Sequence, residues 1–170
     1  MFKVPLIELF LIGIPSEVLV ICFCYILSKT KFNLKRITIS VVTMCISIYC
    51  IRMLPIHFNS ISIINLSLLI IVNIFINKIS IIKSIIVSIC DSIIGIFCEA
   101  ITFVILQNVF NISTDFILNT TTFNKIVYGS YPSLIMYLLI TILINFIIKK
   151  ELQKKTYQIK NMFYLNDKDD

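Results

Sequence analysis

Five long apolar stretches, separated by short polar connections, recur along the chain. They run from about Pro5 to Ser28, Ile37 to Leu54, Ile61 to Asn77, Ser84 to Phe110 and Tyr131 to Ile148. Each approaches the roughly 20 residues that a helix needs to cross a hydrocarbon core about 30 Å thick. None shows the sustained apolar–polar alternation of a barrel strand, so the pattern predicts helices even though isoleucine favours strands in water. The expected fold is an all-α, polytopic membrane bundle of five helices over residues 1–148, followed by a basic tail over 149–170.

The connections orient this bundle. The first carries Lys29, Lys31, Lys35 and Arg36, the third Lys78 and Lys83, and the tail from Lys149 six lysines. The second carries Arg52 beside His57, and the fourth, about Asn111 to Ser130, sets Lys125 against Asp115. Basic connections thus alternate with poor ones, which places the N-terminus outside and the C-terminus in the cytoplasm. The first helix is expected to stay in the protein, because its charged start is a single Lys3 and no Ala-x-Ala site follows.

Composition supports this reading: 58% of the 170 residues are hydrophobic and 14% charged, against about 25% charged in a soluble domain. Thirty-nine isoleucines against a single alanine, Ala100, suggest an AT-rich, bacterial genome and hence a bacterial plasma membrane. A soluble enzyme, a disordered chain, a nucleic-acid binder and a disulfide-stapled secreted domain are all excluded. The net charge of +6 belongs to the basic connections, which attract anionic headgroups and imply no nucleic-acid partner. The six cysteines fall inside predicted helices with no Cys-x-x-Cys or Cys/His cluster, so they read as small apolar side chains, and no metal or cofactor is expected.

Ionisable residues inside a span cost about 2.5–3.5 kcal/mol at the helix centre and usually face a bundle interior, a cavity or a partner. Here they are Glu8 and Glu17 on the first helix, Arg52 at the end of the second, and Asp91 and Glu99 on the fourth. On the fourth helix Ser84, Ser88, Asp91, Ser92, Gly95, Glu99 and Thr102 recur at spacings of three and four, which predicts one polar stripe. Two readings stay open: a packing face with its acids protonated or hydrogen-bonded, or a polar cavity for a cationic or polar ligand or a proton. The run Gly13-Ile-Pro15-Ser16-Glu17 adds an expected kink beside a mid-membrane carboxyl. In the cavity reading Glu17 and Glu99 contact the ligand and Asp91 supports them. Arg52 with Glu8 then gates the outer side, unless the arginine simply snorkels. The lone His57 reads as a solvated turn residue, and the apolar fourth connection as a lid, an interfacial helix or a sixth membrane segment.

No P-loop, zinc-protease motif, aspartate pair or Ser/His/Asp arrangement is present, so catalysis is not expected. The runs Leu9-Phe-Leu-Ile-Gly-Ile-Pro15-Ser16-Glu17, Arg52-Met-Leu-Pro55 and Tyr128-Gly-Ser-Tyr-Pro132-Ser resemble the membrane sensor regions of peptide-sensing histidine kinases of the accessory-gene-regulator type. The resemblance spans about residues 6–148 and implies a sensor-like module that binds a peptide or small molecule. Those receptors continue into a kinase domain and this chain is expected to lack one, so a partner protein, a kinase or an ATPase subunit, would complete the action. The size also fits a substrate-binding subunit of an energy-coupling-factor transporter, although that family typically has six helices and alanine-rich motifs. A structural accessory subunit without a ligand is the third class.

Overall fold

The computed structural model describes residues 9–53, 58–108 and 130–166. A π-helical turn, Leu9–Gly13, runs into α1 (Ile14–Ser28), followed by α2 (Leu34–Met53), α3 (Phe58–Phe75), α4 (Ile81–Asn108) and α5 (Tyr131–Asn166). Among the described residues all regular structure is helical. Four segments are long and apolar enough to cross a membrane: Phe10–Ser28, Leu34–Ile51, Ile81–Asn108 and Tyr131–Glu151. The chain is a multi-pass, all-α membrane protein.

The boundaries differ from the sequence expectation in instructive ways. Both α2 and α4 begin three residues before the expected Ile37 and Ser84, adding Leu34-Lys35-Arg36 and Ile81-Ile82-Lys83, in which the leucine, lysines and arginine are good helix formers. The third stretch gives a helix of 18 residues, about 27 Å long, whose apolar part Ile61–Phe75 is shorter than the other spans. It stops before Asn77, which the apolar pattern had counted inside it. The helix from Tyr131 continues through the basic segment to Asn166, about five turns beyond Ile148 and further than an apolar run alone requires. Glu8, His57 and the connection 109–129 lie outside the described residues.

The chain divides into two compact units, Met1–Leu138 and Leu139–Asp170. In the first, α1 packs on α2 and α4, and α3 packs on α2 and α4, so the four helices close a ring. The core of that ring is Ile21, Cys24 and Tyr25 of α1, Ile37, Val41, Met44 and Cys45 of α2, Leu69 and Val72 of α3, and Val87 of α4. Outside it, Ile39, Val42, Ile46, Ile71, Ile86, Ile93 and Phe97 are exposed. Burying one such side chain is worth about 1.5–3 kcal/mol, so an exterior of this kind is stable against lipid and not against water.

Local chemistry sets how the helices begin and end. Pro15, second residue of α1, has no N–H to offer the preceding turn, and the π-helical turn Leu9–Gly13 sits just where that bond is missing. Ser16 Oγ donates to the carbonyl of Gly13 at 3.0 Å, satisfying one acceptor there. The expected irregularity at Pro15 is therefore a change of helix winding. At the other end Lys29 adopts φ 55°, with its N–H on the Ile26 carbonyl and the Thr30 N–H on Tyr25, each at 3.3 Å. This is a Schellman arrangement without the usual glycine. Lys78, after α3, takes the same φ of 55°. A side chain in this left-handed region is strained where glycine is not. Lys29→Gly should therefore raise stability by about 0.5–1 kcal/mol, and Lys29→Val should lower it, as read by thermal unfolding in mild detergent.

Candidate functional site

Two polar clusters occupy the interior of this apolar ring. The first is centred on Asn77, in the turn after α3. Its Oδ1 accepts from Tyr25 Oη of α1 at 3.0 Å and from Ser40 Oγ of α2 at 2.8 Å. Its Nδ2 donates to Asn73 Oδ1 at 3.0 Å, and Asn73 Nδ2 in turn faces Cys24 Sγ at 3.4 Å and Ser88 Oγ of α4 at 3.5 Å. Ser84 Oγ donates to the Ile70 carbonyl at 3.1 Å, tying α4 to the backbone of α3. Asn73, Ser40, Ser84 and Ser88 are fully buried. One connected set of hydrogen bonds thus touches all four helices, and Phe32, from the α1–α2 connection, stacks on Tyr25 at 5.4 Å.

The second cluster holds the carboxyls. Asp91 of α4 is buried and accepts a hydrogen bond from the Tyr137 hydroxyl of α5. The Tyr137 ring meets Phe23 of α1 edge-on at 5.9 Å. Glu17 of α1 is also buried, on the helix that packs against both α2 and α4. Both carboxyls lie within electrostatic range of Cys24, and Glu17 is within range of Cys45 on α2. The Cys24 thiol itself belongs to the first cluster, as the acceptor of the Asn73 amide. All six cysteines are free thiols, and among the described residues no three His, Cys, Asp or Glu side chains converge on a point that would hold a metal.

The expected polar stripe is real over part of α4, and its register needs correcting. Ser84, Ser88, Asp91, Cys98, Thr102 and Leu106 are buried, whereas Glu99 is exposed. The buried seam steps from Asp91 to Cys98 and Thr102, with Gly95 half-buried at its edge. Glu99, one residue past Cys98, is rotated from it by about 100°. Glu99 therefore does not join Glu17 and Asp91 inside. Gly95 was expected to let a helix approach closely, yet a β-carbon placed on it meets nothing within 4 Å. Arg52 lies in the last turn of α2, but neither its side chain nor Glu8 falls within the described side chains, and their pairing lies outside the structure's scope.

The sequence reading missed Tyr25, Ser40, Asn73, Asn77 and Tyr137. A signal for the asparagines existed: Asn73 and Asn77 are four residues apart, in and just past the end of α3, and the stretch from Leu68 to Ile76 is otherwise Ile, Leu, Val and Phe. No protein-family model, curated protein or solved structure matches the chain.

An interhelical hydrogen bond in a membrane contributes on the order of 1 kcal/mol, and a buried donor left without its acceptor costs more. Asn77→Leu removes the acceptor of two hydroxyls and the donor to Asn73, and should destabilise the bundle by about 2–3 kcal/mol in SDS-titration unfolding. Asn65→Leu is the comparison: among the described residues the buried Asn65 Oδ1 has no hydrogen-bond partner, so its replacement should leave stability unchanged or raise it. At the second cluster, Tyr137→Phe should cost about 1–2 kcal/mol, and Asp91→Asn clearly less, since an amide carbonyl still accepts the tyrosine proton.

Proposed function

We propose that the protein is a sensor-like, ligand-binding module of the bacterial plasma membrane that acts through a partner protein. The observation that carries this reading is the burial of two carboxyl groups, Glu17 and Asp91, in the apolar interior of spanning helices, with Tyr137 bonded to Asp91. A membrane interior penalises acids by several kcal/mol, and those that persist usually face a bundle interior, a cavity or a partner. Their position on packed neighbours α1 and α4 suits recognition of a cationic or polar group, with Asp91 held in place by the tyrosine. The winding change at Leu9–Gly13, one turn from Glu17, gives α1 a point at which binding can alter its geometry. The reading takes the N-terminus as outside, so that a ligand arriving from outside reaches Glu17 past this turn. A kinase or response-regulator partner then receives the change on the cytoplasmic side.

Cells lacking the native copy and complemented with wild type or with Glu17→Gln test this. Wild type should restore the transcript profile, and Glu17→Gln should fail at equal membrane abundance. Mild-detergent co-purification should bring down a signalling protein. Wild-type behaviour of both Glu17→Gln and Asp91→Asn would remove the binding site, and co-purification of an ATPase pair with a coupling subunit would make the protein a transporter component.

A further inference from the structure

We propose that Glu99 marks an intramembrane docking face for a partner helix that presents a lysine or arginine. The proposal rests on the reading that the chain works through a partner, and names the surface and the chemistry of that contact. Helix α4 has 28 residues and is about 42 Å long, longer than a hydrocarbon core of about 30 Å. Glu99 lies about 14 Å from its Asn108 end, so a centred helix sets this carboxyl several ångströms inside the hydrocarbon.

Yet Glu99 is exposed, and on its side of the helix Ile96 is 68% and Phe103 43% exposed. Intramembrane acids almost always turn inward to a bundle, a water-filled cavity or a counter-charge. Here the inward positions belong to Cys98 and Thr102. Among the described residues of this bundle no basic side chain is paired with Glu99, so a counter-charge from a partner fits its position.

The neighbouring shape suits a helix. Ser92 and Gly95 are half-buried on the flank leading to Glu99, and a β-carbon on Gly95 would meet open space. Small residues of this kind admit close helix contact in lipid. Charge decides between occupants. A second copy would set Glu99 against Glu99 across a symmetric contact, whereas a basic side chain neutralises it and supplies donors at once. The occupant is therefore a different membrane protein whose spanning segment carries Lys or Arg at the depth of Glu99.

Photo-crosslinking with p-benzoylphenylalanine in the full chain, in its own membranes, tests this. The probe at Phe103 or Ile96 should give one heteromeric adduct whose linked peptide lies in a Lys- or Arg-bearing span. The same probe at Phe97 or Val104, on the opposite side of α4, should meet lipid. Glu99→Gln should lower the adduct roughly tenfold at unchanged membrane abundance. Glu99→Lys should abolish it, and exchange of the partner's cation for glutamate should restore it. Adducts with lipid alone, with a second copy, with residues 109–129 of the same chain, or undiminished by Glu99→Gln would each overturn the proposal. The adduct reads the contact without any ligand, so its loss is distinct from failure of the Glu17 and Asp91 site.

Discussion

The side chain of Asn77 is the point on which the helix ring depends. An apolar bundle in lipid has little hydrophobic reason to choose one arrangement, since lipid tails solvate isoleucine as well as another helix does. Directional bonds must supply the choice. The Asn77 carbonyl oxygen takes protons from α1 and α2, and its amide passes the connection through Asn73 to α4. These distances are met together only when the four helices stand in one register. The turn that carries Asn77 is shaped accordingly, with the Ile79 N–H on the Asn73 carbonyl at 3.0 Å and Lys78 in a left-handed conformation.

This arrangement separates two uses of polarity inside the membrane. Around Asn77 the hydroxyls and amides saturate one another, which is the character of a structural fastening. Around Glu17 and Asp91 the groups are ionisable, and Tyr137 donates a hydrogen bond to Asp91. Cys24 of α1 joins the fastening through the Asn73 amide. Glu99 belongs to neither region. It is exposed on the outer flank of α4.

Hydropathy made the helical class and the membrane legible, because length and uniform apolarity are properties of the residues themselves. The acids at 17 and 91 were legible for the same reason, as isolated charges in apolar runs. The rest depended on packing. Glu99 and Cys98 are adjacent in sequence and both match a three-or-four spacing from Asp91, and only the real seam of α4 tells them apart. Tyr137 and Tyr25 carried no mark as isolated tyrosines in apolar helices, since their meaning lies in partners 46 and 52 residues away. Asn77 was counted as the last residue of a span, although asparagine's low helix propensity already favoured the turn where it stands. The length of α5 beyond Ile148 exceeds what hydropathy marks, because lysine and glutamine sustain a helix that no apolar window registers.

The claim that Asn77 joins the helices through its side chain is tested most directly by a double-mutant cycle. Unfolding free energies of the full chain would be measured for Tyr25→Phe, Asn77→Leu and the pair, in one detergent. A direct bond between the tyrosine hydroxyl and the Asn77 carbonyl predicts a coupling of about 1 kcal/mol, with the tyrosine change nearly silent once Asn77 is gone. Simple additivity of the two changes would contradict the account, since it would mean that α1 and the α3 turn are held together by something other than this contact.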